Sequence, residues 1–568
     1  MKDWSLTSVV AGTAGCLLAH RLAHAAARPL VLLVEAGSKA EGDEVRHPAN
    51  RYIVPIVRPD LDYAYPSTAQ EHLNGRTIVY ERGRGLGGST LLNYGVYLYG
   101  SREDYNRWAD AVGDETWRWE NTQESFKQIE NYDFSRAITS YPEFAKPRPQ
   151  DHGTSGQVKV CLPPSLERGT VEMMAAFMGT EDTVNLDLNS GNPVGIGILP
   201  NSASEDGRTT SATAHLEDTP DNLVVWTSAV VHGLRFDNDT VVGVETADGR
   251  IGKDAWLIFE HLLTESATCT KDVILCGGSI DTPRLLLLNG IGPSAELEAL
   301  DIQVFKDLPG VGKNLADHLV VFASCEVDGS LNDRCIFEGD EATVAEAKAQ
   351  WTKDKSGAYT TYGSELWGGF LKLPQLQDYE EFKALPSEEQ EFMNREAVPT
   401  YEMAANPGCW PPGAVLSAGN TYLTATVYMM NTQSRGSIAL RSRDPKDFPL
   451  IDLGFFSHPY DRRVLRESYR ETWRKVYDNP LVKPKVVRRL FGPESLSDDD
   501  IDEFLGENTI SVRQKKRNGE DGKSGGSFSV RRLQLQSVWR ARTAHRGFER
   551  LSSDSQVRWI CSYEDELS

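Results

Sequence analysis

TSVVAGTAG (residues 7–15) carries the strongest structural signal in the chain. Its first four residues form a β-type run, and the segment after the glycines, residues 16–27, is rich in Ala and Leu, which favour a helix. A second apolar run, residues 30–34, leads directly to Glu35. The order of strand, glycine turn, helix, strand and acid predicts a βαβ unit that binds a dinucleotide.

The chemistry of a dinucleotide explains why this turn is small and polar. A glycine at position 12 allows backbone N–H groups to approach a pyrophosphate, and the helix N-terminus favours its negative charge. Glu35 lies 20 residues after Gly15, where an acid accepts hydrogen bonds from a ribose hydroxyl. The alternative is an ordinary turn between a strand and a helix, with no ligand.

The glycine motif is incomplete at its first position. In the pattern G-x-G-x-x-G the first glycine falls at Val10, so the turn lacks the residue that adopts unusual backbone angles most easily. The motif is therefore two-thirds present.

Composition excludes several classes of protein. The 568 residues are 40% hydrophobic, enough for large cores, which excludes fibrous and wholly disordered chains. The net charge of −22 argues against a nucleic-acid partner. The eight cysteines form no C-x-x-C pair and no Cys/His cluster at zinc spacing, so we predict no metal site and no disulfide framework.

The sequence contains no apolar run long enough for a membrane span. We read no secretory signal at the start of the chain. The compartment stays open, with an intracellular one favoured.

Two later regions change in character. Residues 329–412 contain charged helical stretches that are interrupted by Pro and Gly residues, which indicates a separate domain or a large cap. Residues 422–428 then alternate as a strand does.

Several separated motifs connect the chain to a known family. Residues 83–100 (GRGLGGSTLLNYGVYLYG) are similar to the first signature of the glucose-methanol-choline (GMC) flavin oxidoreductases, and residues 278–292 resemble the second, with Asn289 where serine is usual. Residues 308–318 and the Ser434-Arg435-Gly436 stretch agree with the same family. Five patterns in the family's order make a chance match improbable.

The resemblance implies an α/β fold, with a Rossmann-like FAD-binding domain and a second α+β substrate-binding domain that contains an antiparallel sheet. We assign residues 1–325 mainly to the FAD-binding domain, 326–511 mainly to an incomplete substrate-binding domain, and 512–568 to an aberrant basic tail. It also implies FAD as the cofactor, a small-molecule alcohol as the substrate, and oxygen or another electron acceptor.

The family's functional positions transfer to this sequence one by one. The resemblance places the FAD pyrophosphate at the glycine turn and the adenosine ribose at Glu35. The resemblance places six further residues on the flavin side: Arg84, Gly85, Gly88, Ser89, Asn93 and Val96. It places Val231 beside the adenine. For each of these residues, simple packing of the scaffold is the alternative. The turn itself contributes Gly12, Thr13, Ala14 and Gly15. Some members attach flavin through a histidine where this chain has Leu92, so we predict non-covalent FAD.

The C-terminal stretch that carries the family's catalytic histidine is missing from this sequence. A histidine in a C-terminal Trp-His stretch takes the hydroxyl proton in the family. Here residues 508–511 run into 512–550, which hold eleven Lys and Arg against three acids and one histidine, His545, without the motif. We name no catalytic residue, and we interpret His318 as structural.

A shifted reading frame accounts for this tail. A one-nucleotide shift over residues 538–554 is compatible with YGVxGLRIADLSVFPL, which is the family's C-terminal pattern. Transcript sequencing that finds the present frame continuous and expressed would count against this hypothesis.

Three functions follow. The first is an FAD-dependent oxidoreductase that acts on CH–OH groups. The second is a catalytically inactive remnant that still binds flavin. The third is an interaction protein that uses the basic tail.

Overall fold

The structure is a computed structural model. It describes residues 4–47, 50, 54–136, 142–163, 166–167, 169–178, 183–246, 266–332, 337, 340–359, 367–406, 415–517 and 556–559.

The strands in these residues are numbered in chain order. They are β1 Trp4–Val9, β2 Val31–Val34, β3 Tyr65–Pro66, β4 Val79–Tyr80, β5 Glu130–Tyr132, β6 Val158–Val160, β7 Gly195–Ile198, β8 Ala203–Ser204, β9 Gly207–Arg208, β10 Leu223–Trp226, β11 Val231–Asp237, β12 Thr240–Thr246, β13 Ser266–Leu275, β14 Ile291–Gly292, β15 Lys306–Asp307, β16 Ala316–Asp328, β17 Trp367–Leu371, β18 Tyr401–Asn406, β19 Asn420–Met429, β20 Ser437–Ala439, β21 Leu450–Asp452, β22 Val486–Phe491, β23 Ile510–Arg517 and β24 Gln556–Trp559.

The α-helices are numbered in the same way. They are α1 Thr13–Ala23, α2 Asp43–Arg46, α3 Val54–Val57, α4 Arg102–Val112, α5 Trp119–Ile129, α6 Thr170–Met178, α7 Ser211–His215, α8 Gly278–Leu288, α9 Ser294–Glu298, α10 Glu341–Asp354, α11 Glu380–Lys383, α12 Ser387–Asn394, α13 Pro459–Val476 and α14 Asp498–Asn508.

The first sheet is built around the predicted βαβ unit. Its strand order is β10-β2-β1-β13-β12-β11, with β10, β2, β1 and β13 parallel, while β12 and β11 are antiparallel additions. Residues of β2 are buried on both faces, as expected for a central parallel strand. Helix α1 covers one face and α8 the other. The prediction of a Rossmann-like α/β domain is confirmed.

Helix α1 differs in length from the sequence expectation. It ends at Ala23 rather than at residue 27. The chain then turns toward Pro29, and Arg28 adopts φ +41° in that turn, which no α-helix contains.

The second sheet is antiparallel throughout. Its order is β22-β16-β19-β18-β17-β7, and β23 pairs with the other end of β16. Strand β19 contains the alternating residues 422–428, as predicted. One face of the sheet packs on α13 in the largest hydrophobic core, through side chains such as Tyr401, Met403, Val427 and Val464.

The two sheets do not divide the chain at a single point. Strand β7 and most of β16 precede residue 326 and lie in the antiparallel sheet. The domain assignments therefore stay predictions.

Two pieces of the basic tail lie within the described residues. Strand β23 runs on to Arg517, and β24 pairs in parallel with the Asp272–Leu275 part of β13. The sequence motifs predict neither piece, because both depend on partner strands far away in the chain. His545 lies outside the described residues.

Within the described part of the chain, no helix is both long and apolar enough to cross a bilayer. The same residues contain no group of three or more His, Cys, Asp or Glu side chains suited to hold a metal ion.

A buried histidine joins β5 to the loop before β7. His152 Nδ1 lies 3.1 Å from Glu130 Oε1, and its Nε2 lies 3.3 Å from Asp187 Oδ1. Glu130 Oε2 accepts two more hydrogen bonds, one from the Tyr99 hydroxyl over 2.6 Å and one from the Gly153 N–H over 2.8 Å. Burial alone would lower the pKa of His152, but the hydrogen bonds and charges of Asp187 and Glu130 outweigh burial and raise the pKa to about 9.

The raised pKa predicts a stability that depends on pH. The pKa of His152 is higher in the folded protein than in the unfolded chain, so protonated His152 stabilises the fold by roughly 3 kcal/mol. This contribution to the free energy of unfolding is fully present below about pH 6.5 and is lost as the pH rises through 9. We expect His152→Gln to be destabilised strongly at pH 6.5 and progressively less toward pH 9.5. Urea unfolding of both proteins across this range measures the difference, and a difference that does not change with pH would contradict the assignment.

Candidate cofactor and substrate site

The glycine turn places the N-terminus of α1 at the carboxyl end of β1. Gly12 is the N-cap of α1, in an extended conformation, and no side chain caps the helix. The first helical bond runs from the Cys16 N–H to the Gly12 carbonyl over 3.1 Å, so the N–H groups of Thr13, Ala14 and Gly15 have no acceptor within the helix. The first turn also contains no acid. These features fit a pyrophosphate.

The two glycines of the turn have different surroundings. A Cβ on Gly15 would lie 2.1 Å from the Val10 carbonyl oxygen, so this glycine is required for contact between helix and strand. A Cβ on Gly12 would meet no protein atom closer than 3.7 Å. The nearest atom is the Cys276 carbonyl oxygen, at ordinary contact distance, so the protein itself leaves room for a Cβ at Gly12.

Val10 occupies the position of the missing first glycine. Its φ is +73°, a left-handed conformation that a β-branched residue adopts only with strain. The strain thus lies where the motif lacks its first glycine.

Replacement of Val10 tests this strain directly. Both Val10→Gly and Val10→Ala remove the side chain, but only glycine relieves the backbone, so we expect the glycine variant to be more stable than the alanine variant by about 1 kcal/mol. Chemical denaturation of the two variants measures the difference. Equal stability, or a more stable alanine variant, would show that the backbone at Val10 is unstrained.

Glu35 lies at the end of β2, beside the glycine turn. It is 2% exposed, and its carboxyl group accepts hydrogen bonds from the Ala11 N–H at 3.0 Å and the Gly37 N–H at 2.9 Å. Burial raises the pKa of Glu35 to about 7 against the effect of these donors and of Arg84. Each oxygen accepts one of these backbone bonds and keeps capacity for a ribose hydroxyl.

The segment that contains the first signature packs directly on the glycine turn. The Gly87 N–H donates to the Ala11 carbonyl over 2.8 Å, and a Cβ on Gly88 would lie 2.6 Å from Gly12 Cα. Gly85 pairs with Ser38, just beyond Glu35. The structure therefore brings Gly85 and Gly88 together with the turn and with Glu35.

Arg84 extends this cluster. Its Nε is buried and has no hydrogen-bond partner in the described part of the chain, and its guanidinium lies 5.7 Å from the ring of Tyr63. A buried, unsatisfied cationic donor near Glu35 fits a polar or anionic ligand group.

The remaining signature residues lead toward the antiparallel sheet. The Asn93 N–H donates to the Ser89 carbonyl over 2.9 Å, which continues the turn at Gly88–Leu91. Val96 packs against Leu199 and Phe370. Ser89, Asn93 and Val96 therefore follow one path from the glycine turn to the sheet.

Val231 lies on the opposite side of Glu35. It begins β11 and packs, partly buried, against the core that contains α8. The Ala229 N–H donates to the Glu35 carbonyl over 2.9 Å, so Val231 is two residues from a direct contact with the Glu35 backbone.

Two functional candidates were missed in the sequence. Arg208, 4% exposed, donates from Nη2 to the carbonyl and the side-chain oxygen of Asn93. Ser211 donates from Oγ to the Thr13 carbonyl over 2.6 Å, and its N–H to Thr90 Oγ1 over 3.0 Å. Thr210 and Thr213 form a capping box, which marks the start of α7 in the sequence. No local pattern indicates the distant residues that Arg208 and Ser211 contact.

The catalytic end of the site holds no family histidine. The place expected for Trp-His falls in β23, whose sequence ISVRQKKR contains none. His318 is buried, and its Nδ1 lies 2.9 Å from the Met429 carbonyl oxygen. The backbone N–H of His318 donates to Asp317 Oδ1 over 2.8 Å. These contacts support a structural role for His318.

Known proteins resemble this chain over most of its length. The family model described as GMC oxidoreductase matches residues 8–320 with its N-terminal part and residues 432–514 with its C-terminal part. The chain is 30% identical to the alcohol dehydrogenase (acceptor) of Pseudomonas putida, over 87% of this chain and 82% of that protein. It is also 30% identical to the oxygen-dependent choline dehydrogenase of Serratia proteamaculans, over 89% and 84% respectively.

A solved structure shows the same fold. An FAD-dependent oxidoreductase from Chaetomium thermophilum superposes with a TM-score of 0.80 at 22% identity, over 99% of this chain and 95% of that one.

Proposed function

The chain belongs to the GMC oxidoreductase family, and we propose that it binds FAD along the path from Glu35 to Val96 and oxidises a small alcohol there. It is an FAD-dependent oxidoreductase that acts on CH–OH groups. It takes a small-molecule substrate and an electron acceptor. The inactive remnant is not favoured, because the relatives that match most of the chain are enzymes.

The observation that carries the FAD placement is the uncapped helix N-terminus at Gly12, whose first N–H groups have no acceptor within the helix. In our proposal, the N–H groups of Thr13, Ala14 and Gly15 bind the pyrophosphate, and Glu35 accepts the ribose hydroxyls. Val231 contributes to the adenine side. The flavin side consists of Arg84, Gly85, Gly88, Ser89, Asn93 and Val96.

When bound, FAD accepts the hydride that leaves the carbinol carbon. The protein positions the alcohol and must also accept the hydroxyl proton. Arg208 holds Asn93 through its carbonyl and its side-chain oxygen, which fixes one wall of the proposed flavin site.

We propose further that the FAD is not covalently attached. Leu92 has a hydrocarbon side chain, which offers no nucleophile, and it is buried among Leu61, Leu91 and Val54. We expect acid precipitation of the purified protein to release all of its flavin into the supernatant. Flavin that stays with the pellet would contradict this proposal.

A spectroscopic experiment tests the function. The full chain is purified, and its visible absorbance is recorded without oxygen, before and after the addition of each of several primary alcohols. We expect flavin bands that bleach with at least one alcohol. Readmission of oxygen then tells whether oxygen reoxidises the flavin or another acceptor is needed.

The other outcomes are informative. Flavin bands that no alcohol bleaches would support the inactive remnant. A folded protein without flavin would contradict the cofactor site proposed at Gly12.

A further inference from the structure

Glu402 occupies an unusual position in the antiparallel sheet. It lies in β18, directly opposite Phe370 of β17 and Tyr428 of β19. Its neighbours Tyr401 and Met403 point into the core on α13. Because side chains alternate along a strand, Glu402 points to the other face of the sheet.

That face is the one that meets Val96. A Cβ on Gly368 would lie 3.7 Å from Glu402 Oε1 and 3.5 Å from Leu199 Cδ1. Leu199 and Phe370 both pack in the small cluster that Val96 contacts. Glu402 and the end of the proposed flavin path therefore share one wall.

The carboxyl group of Glu402 stands apart from the polar groups that the structure describes. Among the residues that the structure describes, none forms a hydrogen bond or ion pair with it, although the side chain is half-buried. Desolvation raises its pKa to about 8. The neighbours on the same face include one other titratable group, Tyr428, and no Lys or Arg: Gly368, Phe370, Ala404, Asn406, Thr424, Thr426 and Tyr428.

Two other buried carboxyl groups, those of Glu326 and Asp461, have hydrogen-bond donors. Glu326 accepts from the Asn420 side chain at 2.6 Å and the Ser417 N–H at 2.9 Å, and it pairs with Arg488. Asp461 accepts two backbone N–H groups, from Gln433 at 2.7 Å and Ser434 at 2.8 Å. A carboxyl group without a hydrogen-bond donor lowers the stability of a protein when it is shielded from water. A ligand that donates to Glu402 would therefore gain binding free energy.

We propose that Glu402 is a specificity-determining residue that pairs with a protonated amine on the alcohol substrate. This inference rests on the proposed function, since it assumes that the alcohol lies between Val96 and the sheet. A cation at this place supplies the charge partner that the described residues do not provide.

Two isosteric alcohols test the inference. The amine 3-(dimethylamino)-1-propanol differs from 4-methyl-1-pentanol only in a nitrogen that carries the charge. The flavin is first photoreduced so that neither alcohol can be oxidised, and each alcohol is then titrated into the full chain at pH 7 without oxygen, by calorimetry in buffers of different ionisation enthalpy. Wild type should bind the amine at least about tenfold more tightly than its isostere and release up to one proton per amine bound.

The variant Glu402→Gln keeps the shape of the side chain and removes its charge. We expect it to bind the two alcohols with nearly equal affinity and to release no proton. Glu346→Gln makes the same substitution at an exposed position of α10 and should behave as wild type.

Three results would overturn the proposal: equal binding of the two alcohols by wild type, a preference that survives in Glu402→Gln, or no measurable binding of the amine. The proton release in wild type tests the proposal even where the variant fails to fold. Flavin bleaching by neutral primary alcohols reports the proposed function separately, because it does not require the carboxyl group of Glu402.

Discussion

Alanine in place of Gly15 is expected to destabilise the protein by about 3 kcal/mol or more and to remove flavin binding with it. The added methyl group would lie 2.1 Å from the Val10 carbonyl oxygen and 3.2 Å from its carbon. Both are backbone atoms, so no side chain can move aside. Helix α1 must therefore shift from β1, and the anion site shifts with it. Urea unfolding and the flavin-to-protein absorbance ratio measure the two losses.

The same substitution three residues earlier is the matched control. Gly12 has φ −74°, which alanine adopts freely, and its added methyl group would meet no protein atom within 3.7 Å. We expect Gly12→Ala to leave the stability of the flavin-free protein unchanged. In our proposal the methyl group crowds the N–H groups that bind the pyrophosphate, so FAD affinity should fall roughly 10- to 100-fold. If Gly12→Ala binds FAD as wild type does, the pyrophosphate lies elsewhere.

Glu35→Ala is the second substitution with a large expected effect. It leaves the N–H groups of Ala11 and Gly37 buried without their acceptor, at a cost of roughly 1 to 3 kcal/mol for each. Removal of a carboxyl group whose burial is unfavourable offsets part of that cost, so we expect a net loss of about 2 kcal/mol. FAD affinity should fall as well, because the proposed ribose acceptor is gone.

Two measurements separate these effects. Unfolding of the flavin-free variant reports the lost backbone bonds, and fluorescence titration with FAD reports the lost ribose contact. Glu41→Ala changes an exposed glutamate on the following loop and should alter neither value. A Glu35→Ala protein that binds FAD with wild-type affinity would remove Glu35 from the proposed site.

The two glutamates of the site illustrate opposite solutions for a buried acid. Glu35 is held by backbone donors and keeps capacity for neutral hydroxyls, whereas Glu402 has no donor within the described chain. In our proposals the first binds the cofactor and the second selects the substrate. The balance of hydrogen bonds at each carboxyl group, rather than residue type, distinguishes the two roles.

The sequence by itself determined the features that depend on neighbours along the chain. The βαβ unit and the missing glycine at Val10 follow from the local order of strand, glycines and helix, and the signatures indicated the family and its fold. These patterns are readable because a strand, a tight turn and a helix each impose a short period on the residues that form them.

Only the tertiary structure decided which distant residues meet. The contact of Gly88 with Gly12, the bond from Arg208 to Asn93 and the isolation of Glu402 join segments that lie tens to more than a hundred residues apart. Strand register sets the neighbours of Glu402, and register comes from packing of the whole sheet on α13. A local pattern carries no information on such partners, so an unpaired carboxyl group is visible only after the strands are in place.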